Sequence, residues 1–307
     1  MINAHYKHIV TKHEADNNLT VKEIIKNNFS FSKRFYTKMK FQNLIVLNDL
    51  TVPGYIKPKE NDIIQIKLPT ETSDFPAENI PIDVIFEDDD LLIINKQPSI
   101  TVHPTKGHPN HTIANGIMNL MLNSSFEYKI RFINRLDMDT SGIVIVAKNQ
   151  NAQSLISKQM QHGITKKKYI AVVHGIFEEK SLSINLPIGK IRDDDIKRAV
   201  LSDGKNAITN ISLIKNFHNY NAALINIEIL TGRTHQIRVH LSHIGHPILG
   251  DELYGGDLSL ISRQALHSYF FSFIHPKNSK KMEIFSPLPK DIKDVLNIFY
   301  SSKYSNS

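Results

Sequence analysis

Pro69, Pro76 and Pro81 stand among Thr, Glu, Ser and Asp across residues 69–83, and no regular element runs easily through such a stretch. It reads as a linker that divides the 307 residues into a short N-terminal part and a long C-terminal one, and the length suits two domains. The boundaries follow: a first domain over 1–75, with its linker reaching to about 83, and a second over 84–307.

The two parts are patterned differently. In the first, Thr20-Val-Lys-Glu23 is a capping box, with Val21, Ile24 and Ile25 supplying an apolar face. Ser32 caps a second short helix whose inward positions are Phe35, Tyr36 and Met39. Leu44–Leu47 and Ile63–Leu68 follow as strands. Beyond the linker, Val84–Phe86 and Leu91–Ile94 form a hairpin, and Ile143–Ala147, Tyr169–Val173 and Ala222–Leu230 are further strands. Ile113–Leu122, Ala152–Gln161 and His235–Ile244 are helical, the last ended by Gly245. Strands and helices do not alternate as βαβ units, so the expected class is α+β with a mixed, largely antiparallel sheet.

Charge narrows the partners. The formal net charge is +7, and Leu19–Lys40 holds six basic residues (Lys22, Lys26, Lys33, Arg34, Lys38, Lys40) against one acid, Glu23. Cations gathered in one segment favour a polyanion, because neutralising phosphates releases counterions. Lys33, Arg34, Lys38 and Lys40 are the candidate RNA contacts; the alternative is an ordinary solvated face. The absence of cysteine excludes disulfides, thiolate metal sites and a Cys nucleophile. No signal-peptide pattern occupies Met1–Val10, and no apolar run approaches the roughly 20 residues that a bilayer crossing needs. A cytoplasmic, monomeric protein is expected.

Two segments are dense enough to carry chemistry. In Asn134-Arg-Leu-Asp-Met-Asp-Thr-Ser-Gly142, Asp137 lies on a loop that turns directly into an apolar strand, which can hold a carboxylate rigidly. The alternative is a loop salt bridge from Arg135 to Asp137 or Asp139. In Thr231-Gly-Arg-Thr-His-Gln-Ile-Arg238, a helix opening with Arg233, Thr234 and His235 places donors where an anion can be met. Arg238 lies five residues past Arg233, so the two serve different partners. A guanidinium close to Asp137 would keep it ionised. Tyr169 opens a strand, where its ring is either core or a ligand face. His103, His108 and His111, and His240, His243 and His246, lack metal-site spacing, so no metal is expected.

Taken together, these motifs resemble the RluA/RluC/RluD family of pseudouridine synthases. The family's H-R-L-D-x-x-T-S-G loop is matched by Asn134–Gly142 except at the first position. Its K-x-Y-x-A-x-V-x-G is matched by Lys167–Gly175, its G-K-x-A-x-T by Gly204–Thr209, and its T-G-R-x-H-Q-I-R block by Thr231–Gly256. Glu87–Lys96 fits a further stretch, while Lys96-Gln-Pro-Ser departs from the usual Lys-Pro-x-Gly. The first segment is similar to an S4 domain, a small α/β RNA-binding fold. The resemblance implies isomerisation of uridine to pseudouridine in RNA without a cofactor, with large-subunit ribosomal RNA as the leading substrate and transfer RNA the alternative. It implies that Asp137 is the essential carboxylate, Arg238 its partner, and Arg233 a neighbour or a phosphate contact. Tyr169 would stack on the uracil, and Arg135 would enter the RNA stack as the target leaves. Competing readings are a catalytically silent RNA-binding relative and a glycoside hydrolase pairing Asp137 with Asp139.

Overall fold

The computed structural model describes residues 5–124, 127–192 and 195–301. The outer ends of the two expected domains, 1–4 and 302–307, lie outside the described residues, as does the start of the Met1–Val10 segment.

The N-terminal part runs β1 (Tyr6–Ile9), α1 (Lys12–Asp16), α2 (Val21–Asn28), α3 (Lys33–Phe41), β2 (Ile45–Leu47), β3 (Leu50–Thr51) and β4 (Ile63–Ile66). Its strands form an antiparallel sheet in the order β1-β4-β2-β3. Thr20 and Glu23 make the expected capping box at the start of α2, whose Val21, Ile24 and Ile25 are wholly buried. Ser32 caps α3, turning Phe35 and Met39 inward and leaving Tyr36 half-buried. The hydrophobic pattern does not announce β1, because Lys7 and His8 interrupt it and only pairing with β4 makes it a strand. Helix α1 opens with a capping box of its own, between Thr11 and Glu14.

No helix or strand occurs between Lys67 and Ile82, as the prolines dictate. The stretch nonetheless packs closely against the rest of the chain. Ser73 Oγ accepts the Ile130 N–H at 2.9 Å, Asn115 Nδ2 donates to the Pro76 carbonyl at 2.8 Å, and Ile80 is buried. Glu71 joins both Lys38 of α3 and Arg131. It acts as a strap.

The C-terminal part contains β5 (Asp83–Glu87), β6 (Leu91–Lys96), α4 (Ile113–Leu122), β7 (Arg131–Phe132), β8 (Ser141–Ala147), α5 (Gln150–Gln161) and β9 (Lys166–His174). It continues with β10 (Ser181–Asn185), β11 (Ile188–Gly189), β12 (Ala199–Val200), β13 (Ile208–Phe217) and β14 (Ala222–Ile229). It ends with α6 (Gln236–His243), β15 (Leu266–Ile274), β16 (Lys281–Phe285) and α7 (Lys290–Ser301). Ten strands form one sheet in the order β10-β13-β14-β9-β15-β8-β6-β5, with β16 joined to β15 and β7 to β8. The β15–β8 pair is parallel and the other pairings are antiparallel, so the sheet is mixed and largely antiparallel, in an α+β fold.

Strand β8 is buried along its whole length, which is why it reads as an unbroken apolar run. Val144 and Val146 share a cluster with Ile113 and Ile117 of α4, while Ile143 and Ile145 pack with Ala152 and Ile156 of α5. The strand begins at a point of close approach. Gly142 has φ +116°, and a Cβ there would sit 2.2 Å from the Ser268 carbonyl oxygen of β15, so only glycine fits. The loop carrying Asp137 ends at this point.

Candidate active site

The 134–141 loop is held from below along its length. Asn134, at the position where the motif usually has His, donates from Nδ2 to the Ile143 carbonyl and accepts the Ile145 N–H at Oδ1, both at 2.9 Å. Its amide thus binds β8 as a strand residue would. Lys96 Nζ, wholly buried, donates to the carbonyls of Met138 (2.7 Å), Ile100 (2.8 Å) and Gln97 (2.8 Å). Arg263 Nη1 donates to the Asp139 carbonyl at 2.9 Å, and its Nε and Nη2 grip Asp291. Two buried cations therefore fix successive carbonyls, and the Thr140 N–H closes the turn on the Asp137 carbonyl at 3.1 Å. Ser99, where the motif usually has Gly, takes φ +60° all the same.

The Asp137 side chain emerges from this turn partly exposed. Arg238 Nη1 donates to its Oδ2 at 3.3 Å. The same guanidinium forks onto Asp251, Nε to Oδ2 and Nη2 to Oδ1, both at 2.7 Å, and lies 4.9 Å over the Tyr254 ring. The expected partnership of Asp137 with Arg238 is present, and Asp251 is its unexpected third member. Tyr169 of β9 is buried, and burial pushes its hydroxyl up to about 12, so it stays protonated at neutral pH.

Helix α6 opens one residue later than its sequence suggests. His235 has φ +57° and stands outside it, because Gln236 Oε1 takes the Arg233 N–H and the Thr231 hydroxyl and tightens the preceding turn. Arg233, Thr234 and His235 therefore belong to a turn rather than to a first helical turn. His235 Nδ1 lies 2.9 Å from the Tyr254 hydroxyl, whose oxygen also accepts the Arg198 N–H. Its Nε2 is 3.9 Å from Asp137 Oδ2. With a carboxylate on that side, we assign the proton to Nε2 and have Tyr254 donate to Nδ1. Burial lowers the His235 pKa below its usual value.

One cleft of about 740 Å³ is lined by Asp137, Arg135, Tyr169, Arg233, Arg238 and His235, drawn from three distant segments. Arg135 and Arg233 are exposed at its rim, where Arg135 Nη2 reaches Thr234 Oγ1 at 3.4 Å and Arg233 Nε donates to the Asn206 carbonyl at 2.9 Å. Among the described residues Arg135 pairs with neither Asp137 nor Asp139, so the loop salt bridge is not formed. Asp139 does not line the cleft, which leaves the glycosidase reading without its second carboxylate.

Lys33, Arg34, Lys38 and Lys40 lie apart from the cleft, on α3. Lys33, Arg34 and Lys40 are exposed, whereas Lys38 is half-buried and bonded to Glu71 at 3.0 Å. His240 is buried between Thr209 Oγ1 and the Leu186 carbonyl, and among the described residues no three His, Asp or Glu side chains are grouped to hold a metal. No helix of the described residues is long and apolar enough to cross a membrane.

Residues 90–243 match the family described as RNA pseudouridylate synthase. A Bacillus subtilis protein called uncharacterized RNA pseudouridine synthase YjbO is 39% identical over 286 residues, covering 91% of this chain and 98% of its own. The Haemophilus influenzae ribosomal large subunit pseudouridine synthase D is 36% identical over 272 residues, 83% of each chain. The solved structure of human RNA pseudouridylate synthase domain containing 4 has a TM-score of 0.59 at 20% identity, covering 71% of this chain and 93% of that one, a likeness of fold. The chain belongs to the RNA pseudouridylate synthase family. It is an isomerase that converts uridine in RNA to pseudouridine.

Proposed function

We propose that the uridines converted are in large-subunit ribosomal RNA and that Asp137 carries the reaction. The observation behind this reading is the Asp137 carboxylate facing Arg238 at 3.3 Å, in the cleft that Tyr169 also lines. The name of the Haemophilus influenzae relative favours ribosomal RNA over transfer RNA.

The isomerisation breaks the N1–C1′ bond, forms a C5–C1′ bond, removes the proton from C5 and leaves one on N1. It is redox-neutral and calls for no cofactor. Arg238 holds Oδ2 of Asp137, which leaves Oδ1 for the nucleotide. Tyr169, buried and protonated, offers a ring for the uracil to stack on and a hydroxyl beside C5. A target base must leave its helix, at a cost of a few kcal/mol, and Arg135, exposed at the rim, fills the gap. Arg233, the chain neighbour of the Thr234 that Arg135 reaches, supplies further positive charge at the rim. The N-terminal sheet and its helices are read as an S4-like RNA-binding domain, with Lys33, Arg34 and Lys40 of α3 on phosphates and Lys38 shared with Glu71. The protein acts as a cytoplasmic monomer.

Pseudouridine mapping of total RNA from cells with the gene, without it, and with Asp137→Asn tests this reading. Large-subunit sites that vanish in the last two samples are expected, with RNA binding retained by the variant. Loss confined to transfer RNA overturns the substrate, and persistence with Asp137→Asn overturns the residue.

A further inference from the structure

Strand β9 carries Lys166, Lys167 and Lys168 in a row, and the pleat sends the middle one to the opposite face from its neighbours. Lys168 Nζ lies 5.5 Å over the Phe270 ring, and the charges of Lys166 and Lys168 both act on Glu283 of β16. Lys167 turns the other way, with Tyr169, into the cleft.

It is only 8% exposed, and among the described residues its side-chain amine has neither a carboxylate nor a hydrogen-bond partner. The amine reaches Gly232, the residue before Arg233: a Cβ at 232 would be 3.9 Å from Nζ. The charge of Asp137 is felt at Tyr169 and at Lys96, whereas burial alone acts on Lys167 and lowers its pKa. Among the described residues no ion pair joins Nζ to the Asp137 carboxylate, whose partners are Arg238 and His235.

A largely desolvated ammonium without a counter-ion is costly, and hydrophobic side chains of similar volume are available that would avoid the cost. A ligand that brings the missing negative charge accounts for it. We propose that Lys167 Nζ binds a phosphodiester of the RNA, the one flanking the nucleotide that stacks on Tyr169. This rests on the reading that the cleft takes an extruded nucleotide. A Cβ at Gly232 would touch Nζ only at ordinary contact distance and would meet nothing else within 4 Å, so the approach to the amine from that side is open.

Lys167→Met and Lys167→Arg in the full chain, with a ten-nucleotide oligouridylate as probe, test the assignment. Binding is followed by fluorescence anisotropy between about 50 and 200 mM KCl. Lys167→Met is expected to bind about tenfold more weakly at the low-salt end, with a log–log salt slope shallower by about 0.7, the loss of one single-strand phosphate contact. Lys167→Arg should restore the slope. The melting temperature of Lys167→Met should equal or exceed that of the parent, since an unpaired charge leaves the interior; a purely structural lysine would give a lower one. An unchanged slope in Lys167→Met overturns the proposal, as does failure of the parent to hold the probe at about 50 mM KCl. Pseudouridine formation by the parent is scored separately, so a failed phosphate site and a failed function reading are told apart.

Discussion

Asp251 takes two hydrogen bonds from Arg238 at 2.7 Å, and Asp137 takes one from the same guanidinium at 3.3 Å. Asp251 is 1% exposed and does not line the cleft, so it acts on Asp137 through the arginine. The fork and the Tyr254 ring together fix the guanidinium plane and leave Nη1 as the edge offered to Asp137.

Asp251→Asn keeps the shape and removes the charge, so Arg238 is free to swing and chelate both oxygens of Asp137. The expected result is a fall in kcat of about 10²-fold with RNA affinity near that of the parent, because misplacement of the order of 1 Å costs that much. Stability should fall by about 3–5 kcal/mol, the cost of breaking a buried pair. Asp137→Asn leaves the fork intact and should melt close to the parent. Single-turnover rates and thermal melts check both variants. A kcat unmoved in Asp251→Asn would confine Asp251 to stability.

His235 gives the reaction an acid limb. Asp137, Arg238, Arg198, Asp251 and Tyr254 surround it, and burial lowers its pKa, so the imidazole is neutral at pH 7. Acidification makes an imidazolium 3.9 Å from Asp137 Oδ2, which competes for the carboxylate that the nucleotide needs. kcat/KM should therefore decline on the acid side of the usual histidine range, and His235→Gln should flatten that decline while keeping a neutral donor. The measurement is kcat/KM over about pH 5–8 in both proteins. An identical acid limb in the variant would assign it elsewhere.

The residues of the cleft were legible where motif and chemistry coincide. Asp137, Arg135, Tyr169, Arg233 and Arg238 each stand in a motif quoted from the sequence, and all line one cleft. Asp251 and Tyr254 were inside the quoted Thr231–Gly256 block, but a fork between positions 238 and 251 has no periodic signature. Arg263 was invisible: its grip on the Asp139 carbonyl crosses from the loop before β15 to the loop before β8, a contact created only by the parallel pairing of those strands. Strands β6 and β8 were readable because they are buried on both faces, and β1 was not, because its partner β4 lies far along the chain. The strap shows the limit of composition. Prolines rule out helix and strand across 69–82, yet they say nothing of the hydrogen bonds that Ser73 and Pro76 make.

His267 makes stability depend on pH. It is wholly buried, with Nδ1 3.0 Å from Ser141 Oγ and Nε2 3.3 Å from the Ser286 carbonyl, and burial brings its pKa from the usual 6.5 down to about 4. Arg263 donates to Ser141 Oγ, so the serine proton points at Nδ1 and the neutral ring with Nε2–H is the form that fits. Between pH 4 and 6.5 the unfolded chain binds a proton that the folded chain refuses, so stability rises with pH across that window. The loss on acidification approaches about 1.4 kcal/mol per pH unit from this group. Urea midpoints at about pH 7 and pH 5 should fall more in the parent than in His267→Gln. Equal losses would remove His267 as the source.

The strap sets where the chain can be cut. Removing residues 1–67 spares Glu71 on Arg131, Ser73 on the Ile130 N–H, and Phe75 against the main apolar cluster, whereas removing 1–75 takes all three. The shorter deletion should leave a cooperative, soluble fold; the longer one should be less stable by about 2–4 kcal/mol, the sum expected for an unsatisfied buried group and a lost apolar contact. Both deletions remove the exposed Lys33, Arg34 and Lys40 of α3, so the salt slope of RNA binding should become shallower by about 2 or more. Thermal melts and anisotropy titrations against KCl measure the two effects. A 68–307 protein that keeps the parental slope would take α3 out of the RNA interface. Equal melting temperatures for 68–307 and 76–307 would return residues 69–75 to the role of a passive tether.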